Sequence, residues 1–345
     1  MKAVKLNHFF TNTFEAHINA AIAISVIAIF AILQVIIKPH NLYILSSILS
    51  VMLINVYMVK LFGSHIRIKL IYSVIVGFSF GFFGFLASFL YFYNIYAYTL
   101  VLVLLLIIVA YFKDEPPHVS VGILLSTNVY IIYAGLAGDI KVAAITGGMT
   151  FVAALIFTLL LWIQVTIFPP SRYRKMPEQK VFLMPKVIFT RGHLRYAMQL
   201  VVSVVIANSI SYYYHLPFGY WLPMTVYLMY KNSHLMTMQT VKHRFMGTIF
   251  GCIIAFSAIH FIDSLWLLTV LLLLCCYIYV ISLGQHYGSY TFFFTFAVIL
   301  VLALGNHAWL NTSVLSRLGL TVLGLVIVLA TVAVSYFLDK RYPEH

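Results

Sequence analysis

Carboxylates are scarce in this chain: Asp and Glu together number 8 in 345 residues, and all charged types reach only 8%. Ordinary globular domains carry about 25%. A soluble fold of this length needs more charge than that to cover its surface, which excludes a soluble enzyme and a disordered chain. Cysteine is rarer still, with 3 residues, which excludes a secreted disulfide scaffold. Cys252, Cys275 and Cys276 lie in apolar runs, and neighbours Cys275 and Cys276 point to different sides of a helix. That spacing makes neither a disulfide framework nor a metal set; it reads as lipid-facing or core filler. The 13 histidines sit mostly at the ends of apolar runs and form no metal-spaced cluster. What the chain has in abundance is apolar, at 63%. The composition describes an all-α integral membrane protein.

A helix crossing the hydrocarbon needs about 20 mostly apolar residues. Qualifying windows lie near 17–37, 41–59, 70–91, 95–112, 118–137 and 142–167, and then near 194–214, 218–230, 245–262, 265–284, 288–304 and 312–338. They predict about twelve transmembrane helices in two groups of six. The uncharged stretch from Leu70 to Phe112 is split at Tyr93-Asn94. Lys2 and Lys5 ahead of the first window raise the question of a signal peptide, but no clean small-residue cleavage site follows, so the window reads as an uncleaved helix. An even count puts both termini on one side. Only Lys38, Lys141 and Arg317 then fall opposite the rest of the 21 Lys and Arg, and this bias places both termini and the central linker in the cytoplasm. The basic excess is an orientation signal, not a nucleic-acid footprint.

The two groups look like copies. His17 and His193, Lys141 and Arg317, and Gly148 and Gly324 share one offset of 176 residues, and Pro39 and Pro217 come close to it. Because each copy has an even number of spans, the repeats enter from the same side and run parallel. The predicted organisation is a first six-helix repeat over 1–167, a basic cytoplasmic linker over 168–192 and a second repeat over 193–345. The linker's basic residues suit an anionic inner leaflet.

Proton-coupled transporters usually hold a carboxylate inside a span. Here Glu15, Asp114, Glu115, Asp139, Glu178, Asp263, Asp339 and Glu344 all fall in loops or at helix ends. Asp114-Glu115-Pro116-Pro117 reads as a helix stop. The charge near the membrane is cationic. Arg244, Thr248, Gly251 and Ala255 fall on one helical face, and Arg317, Thr321 and Gly324 repeat that spacing. Each face offers a guanidinium, a hydroxyl and then a gap at glycine, which suits an organic anion passing between helices. Equally, Arg244 fits a positive-inside anchor, and Gly247-x3-Gly251 and Gly77-x3-Gly81 fit close helix packing. The run His215 to Val226 holds Pro217, Gly219 and Pro223 where the eighth window begins, an interrupted helix of the kind that marks binding sites. Tyr220 and Trp221 there fit either a stacking platform for an aromatic solute or an interfacial belt.

Tyr220-Trp-Leu-Pro-Met-Thr-Val226, followed by Arg244-Phe-Met-Gly-Thr-Ile-Phe-Gly251, closely resembles the signature of the fusaric acid resistance (FUSC-type) membrane family. Arg317 with Gly324 resembles its last such stretch. The likeness covers the second half; after Pro39 the first half has Asn41-Leu-Tyr-Ile where the Tyr-Trp-x-Pro element would stand. The resemblance implies two repeats of six helices and a kinship with aromatic carboxylic acid exporters and with aluminium-activated malate transporters. It implies an inner-membrane exporter of organic anions, a non-enzyme without a cofactor. Substrate-binding residues would be Tyr220, Trp221, Arg244, Thr248, Arg317 and Thr321, with the first two on the periplasmic side and Arg244 on the cytoplasmic side. A homodimer and a periplasmic adaptor are the partners it brings to mind. The rival readings are an uncoupled anion channel and a non-transporting membrane scaffold.

Overall fold

A chain this apolar in lipid must satisfy its backbone hydrogen bonds within each segment, and helices do so. The computed structural model describes residues 17–32, 42–60, 66–115, 117–167, 191–231, 233–283, 287–305 and 310–341. Twelve α-helices and no strand occur among these described residues. The first half contains α1 (His17–Ile32), α2 (Leu42–Lys60), α3 (Ile66–Tyr93), α4 (Ile95–Tyr111), α5 (Pro117–Tyr133) and α6 (Ile140–Ile167). The second contains α7 (Arg191–Tyr213), α8 (Trp221–Met229), α9 (His234–Phe261), α10 (Leu265–Ser282), α11 (Tyr287–Gly305) and α12 (Leu310–Arg341). Nearly all of the basic linker lies outside the described residues.

Among the described residues, eight helices are long and apolar enough to cross a membrane: α3, α5, α6, α7, α9, α10, α11 and α12. The protein is therefore a multi-pass membrane protein. The helices α1, α2 and α4 offer shorter apolar stretches among the described residues. The break at Tyr93-Asn94 is real, since the Asn94 side chain accepts from the amides of Tyr96 and Ala97, both at 3.0 Å, and caps α4.

Two sequence windows need correction. The window 218–230 holds only a nine-residue helix, α8, preceded by turns. α7 ends at Tyr213, and beyond it His215 and Phe218, on either side of Pro217, take φ of 48° and 55°, left-handed angles that re-aim the chain before α8. The window beginning at 245 opens eleven residues too late, because α9 starts at His234. Its first turns, His-Leu-Met-Thr-Met-Gln-Thr-Val-Lys-His, are good helix formers but too polar for a hydropathy window. Ser233 caps them by accepting from the Met236 amide at 3.2 Å. Arg244 is thereby moved from a helix mouth into a helix interior.

Leu100, Phe250 and Val326 point outward as a lipid face, whereas Trp221, Tyr130, Tyr279 and Phe157 pack inside. Cys275 and Cys276 are both buried, so they fill the core. The short α8 packs against α7, α9 and α12 of its own half and against α5 of the other. The α9–α11 contact is closer. A Cβ on Gly247 would stand 2.8 Å from the Gly288 carbonyl oxygen, and one on Gly251 would stand 2.8 Å from that of Phe292. Backbone cannot yield as a side-chain tip can, so Gly251→Ala must prise the helices apart. We expect it to cost about 1–3 kcal/mol, read as a lower melting temperature in detergent. An unchanged melting temperature would mean that α9 and α11 slide freely.

Candidate functional site: a buried arginine pair

Arg317 is seven residues beyond Leu310 in α12, about 10 Å along the helix at about 1.5 Å per residue. Arg244 is ten residues beyond His234 in α9, about 15 Å along it. Both side chains are 1% exposed, so neither snorkels to water. They lie within electrostatic reach of each other, and Arg317 also senses Cys252, Tyr220 and Tyr290.

Their partners are few. Arg244 donates from Nη1 to the Tyr287 hydroxyl at 3.2 Å. The Arg317 guanidinium lies 4.9 Å from the centre of the Trp221 ring, a cation–π contact that satisfies no N–H group. Nε and Nη2 of Arg244, and Nε, Nη1 and Nη2 of Arg317, have no hydrogen-bond partner among the described residues. Neither arginine pairs with a carboxylate there. Asp139 accepts from the Val142 amide at 2.9 Å at the start of α6, Asp263 is exposed, and Asp114 pairs with His193 at 3.1 Å. A single arginine at the centre of a membrane helix costs about 2.5–3.5 kcal/mol on insertion scales. Two that repel each other, with five donor nitrogens lacking a partner among the described residues, concentrate unneutralised positive charge in the interior.

The remaining residues of the two sequence faces divide. Thr248 is buried, and its hydroxyl has no partner among the described residues. Thr321 donates to the Arg317 carbonyl at 2.7 Å, so its hydroxyl is left to accept and offers an anion nothing. The glycine gaps are not open. A Cβ on Gly251 would meet that of Thr295 at 3.0 Å, and one on Gly324 would meet Cγ2 of Thr225 at 3.2 Å. These glycines admit a neighbouring helix, and with it Thr225 and Thr295, two further hydroxyls that have no partner among the described residues. Threonines that pack against a glycine carry no sequence signal of their own, so these two were not foreseen.

Trp221 and Arg317 are brought together, as a face on α12 and a broken helix before α8 did not foretell. Trp221 is only 2% exposed and stacks on Phe218 at 5.0 Å with the rings 16° apart, which corrects the expectation of an interfacial belt. Tyr220 is half-buried and packs its ring directly on Gly135 in the short 3₁₀ turn Ala134–Leu136 of the first half.

The fold and site define a class: a multi-pass helical membrane protein with a buried cationic centre where one short, interrupted helix meets two long ones. Residues 204–331, which hold every member of that centre, match the family described as Fusaric acid resistance protein-like. The chain is similar to two curated proteins, each described as uncharacterized. One is YhfK of Escherichia coli (strain K12), 36% identical over 137 residues, which are 39% of this chain and 19% of the relative. The other is slr1298 of Synechocystis, 26% identical over 136 residues, 39% of this chain and 18% of the relative. The chain thus spans about a fifth of the length of the relatives it matches. No solved structure matches it significantly.

Proposed function

We propose that the chain is a membrane transporter that exports organic anions, aromatic or small carboxylic acids, along a path through the Arg244–Arg317 pair. The observation that carries this reading is the pair itself: two buried guanidiniums without a carboxylate among the described residues. A carboxylate held by both would satisfy idle N–H groups in fork geometry and cancel their repulsion. Thr225, Thr248 and Thr295 add hydroxyl donors. Trp221 holds Arg317 in place, and Tyr220 ties that end of the path to the other half. No catalytic step is assigned.

Parallel six-helix repeats are part of this reading. Two reciprocal contacts support them. His17 at the start of α1 reaches Tyr277 of α10 at 2.7 Å, while His193 at the start of α7 reaches Asp114 just after α4. Likewise α2 packs on α11 as α5 packs on α8. The copies have diverged at the charge: Lys141 is exposed at the start of α6, whereas Arg317 is buried.

Purified protein in proteoliposomes, offered a panel of aromatic and aliphatic acids, tests the reading. Saturable uptake of at least one acid is expected; uptake of none would end it. One observation favours a channel over a coupled exporter, namely that no acidic residue occupies the middle of any described helix. A channel's reversal potential follows the anion gradient alone, whereas a coupled exporter's shifts with imposed pH. The inner membrane, with both termini and the linker cytoplasmic, completes the proposal. A cysteine placed by Ser171→Cys should then resist an impermeant thiol reagent in intact cells. Rapid labelling from outside would invert the orientation.

A further inference from the structure

On the side of the bundle where α7 and α9 begin, a small polar cleft opens to solvent between α7, α9 and α12. Arg195 and Gln199 of α7 line it, with Lys231, Ser233, His234 and Thr237 from the α8–α9 junction. The lining includes an arginine, a lysine and a histidine, and no acid among the described residues. The first turn of the 28-residue α9, whose free amides favour negative charge, also holds no acidic residue.

The cavity is wired to the buried pair. The Lys231 ammonium lies 5.7 Å from the centre of the Tyr287 ring, and the Tyr287 hydroxyl accepts from Arg244 at 3.2 Å. Tyr287 feels the fields of both cations. Its phenol oxygen occupies the one Arg244 nitrogen that has a partner, as a carboxylate oxygen of a passing solute would. The Tyr287 backbone is steadied by Thr291, whose hydroxyl donates to its carbonyl at 2.9 Å.

We propose that this cavity is the loading site for the carboxylate end of the transported anion, and that Tyr287 is the gate which the anion displaces on its way to Arg244. The proposal rests on the anion path argued above. The anion first exchanges its water for Arg195, Lys231 and the start of α9, then passes from Lys231 to Arg244 as the phenol gives way. Without an anion, the phenol holds Nη1 of Arg244 and its ring stands between that guanidinium and Lys231, so the path is closed.

The test uses the full chain with Gly192→Cys at the cavity rim carrying an environment-sensitive fluorophore. The three native thiols are buried, so the label goes to position 192. Benzoate titrated onto the labelled protein should change its fluorescence saturably. Lys231→Gln should weaken that binding by about tenfold, and Lys231→Arg should restore it. Arg317→Gln should leave it intact even where transport is gone, so failure of the loading site and failure of the arginine pair are read separately. In proteoliposomes Tyr287→Phe should lower the apparent KM for benzoate several-fold, because the internal competitor for Arg244 is lost. No benzoate response, or one indifferent to Lys231→Gln, would overturn the loading site. So would a response to phosphatidylglycerol but not to benzoate, which marks a lipid headgroup site. An unchanged or raised KM in Tyr287→Phe would overturn the gate.

Discussion

Arg317→Gln abolishes anion transport and leaves the solubilised protein at least as thermostable as the parent. Both halves of this expected result come from the surroundings of one side chain. The guanidinium is 1% exposed, with no hydrogen bond to any of its nitrogens among the described residues, and Arg244 repels it. Removing its charge relieves a desolvation cost of about 2.5–3.5 kcal/mol on insertion scales. The loss of the Trp221 contact returns about 2 kcal/mol of that, a desolvated cation–π magnitude. Stability therefore holds or rises slightly. For the anion the sign is opposite: it loses a charge partner and a two-pronged donor, about 1.5–3 kcal/mol for each charged hydrogen bond. Two such bonds lost lower turnover by about a hundredfold or more, beyond the reach of an uptake assay. Arg317→Lys keeps the charge and loses the fork, so it retains partial transport. A variant Arg317→Gln that unfolds would show the arginine to be a structural strut. One that transports normally would take Arg317 out of the path.

Helices were legible wherever apolar runs are separated by polar breaks, but of the twelve read as spans only eight are long and apolar enough among the described residues. Arg317 was legible as well, since a lone charge inside an apolar run has few meanings. Arg244 was legible by type but not by depth. Hydropathy sees the lipid-like part of α9 and misses its polar first turns, so Arg244 seemed to stand at the helix start when it lies about 15 Å along it. The glycines beside both arginines were misread for a related reason. A missing side chain leaves room, and only the neighbouring helix decides who takes it; here Thr225 and Thr295 do. Tyr287 and Lys231 carry no periodic or motif signal, and their role comes wholly from which helix ends meet. The left-handed angles of His215 and Phe218 were hinted at by Pro217 and Gly219 but belong to residues that rarely adopt them.

Trp221→Leu lowers transport of aromatic and aliphatic acids alike and also lowers stability, the reverse of the signature of Arg317→Gln. The indole is 2% exposed, stacked on Phe218 and engaged with Arg317, so its faces are in use before any solute arrives. Its service to the anion is to hold the guanidinium. A cation–π contact away from water is worth about 2 kcal/mol, so without it Arg317 spends less time in the competent position and apparent affinity falls by about tenfold to thirtyfold. Because that loss acts through the arginine, benzoate and malate suffer equally. Leucine also leaves unfilled space in a buried site, and the melting temperature drops where Arg317→Gln leaves it level. Trp221→Phe keeps an aromatic face for the cation and loses far less on both counts. A selective loss of benzoate transport, with malate spared, would mean that the indole stacks on the solute itself and that the anion path runs over its ring.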